Sequence, residues 1–241
     1  MIVIIRGPQL EHDLVNHGIR QSILVEALVA AAGFFDLSAR EKLKFKSSDV
    51  YNPYGTRRAS KTGLTRSSFG GFSSSIMHIP WTPGSIHGPT TRLTTVNCYP
   101  PCPEPNTALG LPPHSDYSCL TIVLQNSTDF EILDTEDGGN WTVVPEIRGT
   151  LQVHVGDHFE VLSNGIYKSA VHRATLNSES TRISIASLHS LGMDDKMEAA
   201  AELVDEQNPR RYRESSFKDF LDFLASDDIV DGKRFIDTLR A

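Results

Sequence analysis

Cysteine is scarce in this chain: Cys98, Cys102 and Cys119 are the only three among 241 residues. The count is odd, and no pair has the Cys-x-x-Cys spacing. That argues against a disulfide framework and a thiolate zinc site, and leads us to expect a reduced, cytoplasmic protein. Long apolar runs are missing too. None approaches the roughly 20 residues that a membrane span requires, and Met1-Ile2-Val3-Ile4-Ile5 is shorter than a signal-peptide core. Positive charge is in deficit, with Lys+Arg 23 against Asp+Glu 30 and a net charge of −7. An acidic chain without a concentrated basic face is expected to bind neither nucleic acid nor an anionic membrane.

What is present is enough for one sizeable domain, since 39% of the residues are hydrophobic. Four stretches differ in texture. Residues 1–50 carry a helical pattern over Ile19–Ala32, with Ile19, Ile23, Leu24 and Leu28 on one stripe and Gly33 as its stop. Ser38-Ala39-Arg40-Glu41 reads as a capping box opening a short basic helix. Residues 51–91 read as a loop or linker, because Ser60–Ser75 holds six Ser and three Gly in 16 positions. Residues 92–192 are β in texture, with short runs such as Leu120–Leu124, Phe130–Leu133, Trp141–Val144 and Leu151–Val155. Asp137-Gly138-Gly139-Asn140 marks a hairpin between two of them. Many short strands at this spacing predict a sandwich or barrel, here a mainly β jelly roll with flanking helices. Residues 193–241 form a C-terminal helical extension, in which Ser216-Phe217-Lys218-Asp219 opens a helix carrying Phe217, Phe220, Leu221 and Leu224 on one stripe.

The chemistry gathers in two short strings and one spacing. In a strand, residues i and i+2 share a side, so His114 and Asp116 can reach one ion while Ser115 turns away. His172 follows in the apolar-flanked run Ser169-Ala170-Val171-His172, and ten residues later comes Arg182-Ile183-Ser184. A guanidinium fork with a hydroxyl beside it suits a carboxylate. Three protein ligands with an anion clamp nearby point to an iron(II) enzyme using oxygen and a 2-oxo acid. His154 and His158 compete for the third ligand position, and the spacing to Arg182 favours His172. A zinc hydrolase with the same ligands is the rival enzyme class, although it leaves Arg182 and Ser184 without a task. If Asn177–Ser180 is a symmetric turn, His172 lies opposite Ile185 and the clamp faces the other way. For ligand and clamp to share a pocket, their strands must then belong to opposite sheets.

Six strings together resemble the plant-type 2-oxoglutarate/iron(II) dioxygenases, the isopenicillin N synthase-like group that includes flavanone 3-hydroxylase and flavonol synthase. They are Asn97-Cys98-Tyr99-Pro100-Pro101-Cys102-Pro103, Pro113-His114-Ser115-Asp116-Tyr117, Gln152-Val153-His154-Val155-Gly156-Asp157, Ser163-Asn164-Gly165, Val171-His172-Arg173-Ala174 and Arg182-Ile183-Ser184. By position, the resemblance implies iron ligands His114, Asp116 and His172. It implies 2-oxoglutarate contacts from Arg182 and Ser184, with Tyr99 and Asn97 assisting, O2 as co-substrate, and ascorbate as an accompanying reductant. It also implies a monomer that hydroxylates or desaturates a small specialised metabolite, such as a flavonoid, another phenolic or a hormone. Residues 1–50 would then be the remnant of a longer N-terminal helical region, and 51–91 would replace the family's long central helices. Loss of those helices is expected to expose apolar sheet surface, at about 25 cal/mol per Å². A catalytically impaired family member is the third reading.

Overall fold

The computed structural model describes residues 2–6, 11–45, 55–58, 75–80, 91–134, 139–225 and 234–241. The chain opens with β1 (Ile2–Arg6), β2 (Glu11–Val15), α1 (Gln21–Asp36) and the short α2 (Ala39–Lys42). Next come β3 (Gly55–Arg58), β4 (Ser75–Pro80), β5 (Thr91–Tyr99), β6 (Leu111–His114), β7 (Leu120–Gln125), β8 (Phe130–Asp134), β9 (Asn140–Val143) and β10 (Leu151–Val155). They are followed by α3 (Asp157–Leu162), β11 (His172–Ala174), β12 (Arg182–Ser190), α4 (Phe217–Ala225) and α5 (Phe235–Thr238). An eight-stranded sheet runs β1-β2-β10-β7-β12-β5-β4-β3, and a four-stranded sheet β6-β11-β8-β9 faces it. Every pairing between these strands is antiparallel. This is the expected jelly roll, with β11 and β12 in opposite sheets.

Alternation sets the two faces of the large sheet. On β12 and β5, Ile183, Ile185, Val96 and Cys98 pack outward against α1. The residues between them, Arg182, Ser184, Ala186, Asn97 and Tyr99, line the cavity between the sheets. The pleat therefore divides structural from chemical side chains residue by residue. β8 and β9 form the expected hairpin, with Asp134 opposite Asn140. Gly139 closes it at φ 81°, a conformation suited to glycine; Asp137 and Gly138 lie outside the described residues.

The structure departs from the sequence reading at three places in the N-terminal half. Helix α1 passes through Gly33 and ends at Asp36. Its docking stripe is Leu24, Leu28, Ala31 and Phe35, so one more turn of packing on the sheet outweighs the roughly 1 kcal/mol cost of a helical glycine. Ile19 and Ile23, expected on that stripe, are 43% and 44% exposed. Exposed apolar surface is also found on α1, where Val25 and Val29 face outward, and on β9 at Val143. Second, β1 and β2 extend the sheet from β10, although Glu11-His12-Asp13-Leu14-Val15 has little apolar content. Third, the span read as a loop contains β3 and β4, with β4 paired along β5 from Ser75 opposite Cys98 to Pro80 opposite Leu93. Backbone pairing to a sheet edge needs no side-chain pattern, which is why β2 and β3 are not legible in the sequence, whereas β1 carries the β-branched run Ile2-Val3-Ile4-Ile5. The rest of that span lies outside the described residues.

The C-terminal extension closes one end of the sandwich. Met197, Tyr212, Phe217, Leu221, Phe235, Ile236 and Leu239 form one buried cluster with Tyr117 and Val161. Asn164, at φ 50°, fastens the extension: its Nδ2 donates to the Leu203 and Pro209 carbonyls at 3.2 Å each, and its Oδ1 accepts from Arg211 N at 2.9 Å. Glu160 is buried beneath the extension, accepting from Ser169 N at 2.7 Å, Lys168 Nζ at 3.1 Å and Tyr212 Oη at 2.5 Å. Such charge-assisted bonds offset the cost of burying a carboxylate. Helix α4 starts where expected, and Ser216 and Asp219 exchange side-chain and backbone hydrogen bonds at its start. No described helix is long and apolar enough to cross a membrane.

Candidate metal centre and anion pocket

His114 ends β6 and His172 opens β11, and the two are direct cross-strand partners with ring centroids 4.3 Å apart. Asp116 lies two residues past β6, outside the strand, so strand alternation is not what aims it. Its place is set by backbone contacts with the Gly156 turn. Asp157 N donates to the Asp116 carbonyl at 2.7 Å, and Gly156 N donates to the Cys119 carbonyl at 3.0 Å. A Cβ on Gly156 would stand 1.9 Å from Ser118 O and 2.9 Å from Asp116 O. Gly156→Ala is therefore expected to push the Asp116 loop off its seat. We expect a stability loss of about 3 kcal/mol, the upper end for overpacking, together with weakened metal binding. Chemical denaturation and a metal titration check both; a variant with wild-type values for each would show that the loop accommodates the methyl group.

One ligand atom from each of His114, Asp116 and His172 lies within 4.8 Å of the others, and among the described residues no other trio of His, Cys, Asp or Glu gathers this way. Nε2 of His114 stands 3.8 Å and Nε2 of His172 3.6 Å from Asp116 Oδ1. On the far side of each ring, Nδ1 of His114 donates to the Pro112 carbonyl at 2.8 Å and Nδ1 of His172 to the Ala170 carbonyl at 3.1 Å. A carbonyl can only accept, so the proton sits on Nδ1 and the Nε2 lone pair faces Asp116. Burial, reinforced by His114, lowers the His172 pKa and keeps that ring neutral. Burial opposes ionisation of Asp116, yet His172, His114, His154 and a hydrogen bond from Thr121 hold its carboxyl below the usual range. Two imidazoles and one carboxylate make a nitrogen/oxygen donor set that fits iron(II) with open coordination positions.

His154, the rival ligand, stands at the second carboxylate oxygen, with Nδ1 3.9 Å from Asp116 Oδ2. Its ring stacks on Phe130 at 5.1 Å, and burial lowers its pKa to about 4. His158, the other rival, is turned away from the site. Its nitrogens meet Ser190 Oγ at 3.2 Å and Ser215 Oγ at 3.1 Å, and its ring packs edge-on against Tyr117.

The trio opens into a cavity of about 380 Å³ whose floor is the inner face of β5, β12 and β7. Register lays that floor in rows. Arg182 sits beside Tyr99, Ser184 between Asn97 and Gln125, Ala186 between Thr95 and Val123, and Leu188 between Leu93 and Thr121. The first two rows are polar and the last two mostly apolar. At the polar end Arg182 is 3% exposed. Its Nη1 donates to Ser184 Oγ at 3.2 Å and its Nη2 to Gln125 Oε1 at 2.7 Å, while Nε is buried without a partner. The guanidinium also lies 5.1 Å over the Tyr99 ring. Its hydrogen-bond partners are neutral and Asp129 acts on it only through space, so the buried cation is incompletely compensated until an anion joins it. At the other end Tyr117, Phe217, Phe220, Leu221 and Leu224 close the cavity.

All seven residues singled out in the sequence therefore line one cavity. Asn97 does so by donating to Ser184 Oγ at 3.3 Å. Sequence reasoning missed Gln125, which only strand register brings to Arg182, and the seating role of Gly156. The string Gly156-Asp157 was visible as a turn, but nothing in it says which loop it supports.

Residues 91–190 match the 2OG-Fe(II) oxygenase superfamily. Over 271 aligned positions the chain is 38% identical to 2-oxoglutarate-dependent dioxygenase 21, chloroplastic, of Oryza sativa subsp. japonica, with 95% of this chain and 81% of that protein covered. It is 34% identical to flavanone 3-dioxygenase 3 of the same rice, covering 95% and 82%. The alignments are longer than the chain, so these relatives carry internal segments that it lacks. In fold it matches the crystal structure of JOX2 in complex with 2OG, Fe and JA, with TM-score 0.75, 23% identity, and 90% of this chain and 78% of that one covered. The rice dioxygenase for auxin oxidation gives TM-score 0.73 at 19% identity, covering 97% and 90%. Relatedness over nearly the whole chain sets the zinc-hydrolase alternative aside: the protein belongs to the 2OG-Fe(II) oxygenase superfamily, as a dioxygenase whose cofactor is iron(II) and whose co-substrate is 2-oxoglutarate.

Proposed function

We propose that His114, Asp116 and His172 hold the iron, that Arg182 and Ser184 bind the far carboxylate of 2-oxoglutarate, and that the chain hydroxylates or desaturates a small, uncharged aromatic metabolite of the flavonoid or phenolic kind. The observation that carries this reading is Arg182, a buried guanidinium whose hydrogen-bond partners are neutral, at the polar end of the cavity that holds the His/Asp/His trio. When bound, iron(II) with 2-oxoglutarate and O2 supplies the oxidising power, releasing succinate and carbon dioxide and removing hydrogen from a C–H bond.

The protein's own residues do the rest. His114 and His172 present fixed lone pairs, and Asp116 offers Oδ1 while Thr121 steadies the carboxylate. Arg182 and Ser184 fix the direction of the co-substrate, and Tyr99 walls the guanidinium. Tyr117, Phe217, Phe220 and Leu221 exclude water from the reacting C–H bond and line the substrate end with apolar surface. Among the described lining residues Arg182 is the one Lys or Arg, and the substrate end holds neither. That favours an uncharged substrate over a carboxylic hormone. Relatives act on both kinds by name, flavanone 3-dioxygenase 3 and gibberellin 3-beta-dioxygenase 1 among them. Free thiols and the acidic balance fit a monomer in a reducing compartment, the cytoplasm, that binds neither nucleic acid nor membrane.

The test is oxygen uptake and succinate release with iron(II), 2-oxoglutarate, ascorbate and a panel of neutral phenolics and carboxylic hormones. Coupled turnover with a neutral phenolic is expected. No 2-oxoglutarate-dependent uptake under any condition would favour the impaired-member reading, which the exposed apolar face of α1 motivates. Coupling only to a carboxylic acid would overturn the substrate class.

A further inference from the structure

β12 lies between β5 and β7, and its register places Ser184 opposite Asn97 on one side and Gln125 on the other. This row determines what the clamp has left to give. Ser184 Oγ accepts from Asn97 Nδ2 at 3.3 Å and from Arg182 Nη1 at 3.2 Å. A hydroxyl has two lone pairs and one proton, so the Ser184 proton remains for a ligand. Gln125, 7% exposed, accepts from Arg182 Nη2 at 2.7 Å through Oε1. That bond fixes the plane of the guanidinium fork, yet brings no negative charge to it.

We propose that Gln125 is a positioning residue that sets the co-substrate preference: it aims Arg182 with a neutral acceptor, so that the cation stays available for the second carboxylate of a dicarboxylic 2-oxo acid. The proposal rests on the reading of Arg182 as the co-substrate clamp. A glutamate here would keep the shape and the hydrogen bond, but would close an internal ion pair where water screens little. The incoming carboxylate would then meet a neutralised clamp. A 2-oxo acid without the second carboxylate would be indifferent to the change.

Gln125→Glu tests this directly. Binding of 2-oxoglutarate and of 2-oxovalerate, a monocarboxylic 2-oxo acid, is measured by calorimetry on anaerobic, Mn(II)-loaded protein. KM and kcat for 2-oxoglutarate are measured with iron(II). We expect the Kd and KM for 2-oxoglutarate to rise roughly tenfold or more, while kcat, Mn(II) affinity and 2-oxovalerate affinity stay within about twofold. The preference for the dicarboxylate then falls by the same factor. A merely structural role would weaken both acids alike, and that outcome, or an unchanged 2-oxoglutarate Kd, overturns the proposal. Should the glutamate variant fail to fold, Gln125→Met removes the acceptor without adding charge. It is expected to weaken 2-oxoglutarate binding, by less than the glutamate does, while 2-oxovalerate affinity stays within about twofold; wild-type 2-oxoglutarate affinity in that variant, or both acids weakened alike, also overturns the proposal. Wild-type protein that fails to bind 2-oxoglutarate would defeat the clamp reading itself, which separates the two failures.

Discussion

His172→Ala abolishes iron-dependent succinate formation and reduces iron retained after anaerobic loading to background. The expectation follows from how the site is built. His172 is 4% exposed, its Nδ1 proton is committed to the Ala170 carbonyl, and its Nε2 faces Asp116 at 3.6 Å. Without it, His114 and Asp116 remain as two ligands on a half-exposed edge, too few to hold an ion whose facial site uses three. His154 is the one neighbour that could substitute, but it approaches the opposite carboxylate oxygen and is stacked on Phe130. The loss should be specific to metal. β11 keeps its pairing with β6 and β8 through the backbone, so the circular dichroism spectrum should be retained. Wild-type turnover by this variant would remove His172 from the ligand set and return attention to His154.

Much of this site was legible in the sequence because iron ligation and carboxylate binding each need particular side chains at short spacings. His114, Asp116, His172, Arg182 and Ser184 announce themselves by type. The placement of His172 and Arg182 in facing sheets followed from turn length and strand alternation, and the topology agrees. β7 was legible because one of its faces is buried in strict alternation, and β8 and β10 because their runs are short, apolar and bounded by turn residues. What stayed hidden depends on partners that local pattern does not encode. β2 and β4 pair with a neighbouring edge through backbone hydrogen bonds that no side-chain pattern announces. Helix α1 outlasts Gly33 because Phe35 reaches the sheet. Asp116 lies beside His114, but the Gly156 turn rather than a strand aims it. Gln125 has no chemical signature in Leu124-Gln125-Asn126, and becomes meaningful only once Ser184 is seen opposite it.

Arg182→Ala should raise the 2-oxoglutarate requirement by an amount matching the loss of a buried charge-assisted pair, about 2–5 kcal/mol. At about 1.4 kcal/mol per tenfold this is a Kd or KM increase of roughly 30-fold to several thousand-fold. The free protein should not suffer in proportion. Before the co-substrate arrives, the guanidinium is a buried cation with an unpartnered Nε and only neutral acceptors, Ser184 and Gln125. Removing it deletes a buried charge that Asp129 offsets only through space, as well as two hydrogen bonds, and these effects oppose each other. The variant should therefore melt close to wild type without ligand, and lose the stabilisation that 2-oxoglutarate confers on wild type, because a ligand stabilises only in proportion to its occupancy. Iron affinity should hold, since Arg182 neighbours no ligand nitrogen in the β12 register. A thermal-melt series with and without 2-oxoglutarate, read beside KM, separates the outcomes. An unchanged requirement places the clamp elsewhere, whereas a large drop in melting temperature without ligand would mean that Arg182 serves the fold rather than the co-substrate.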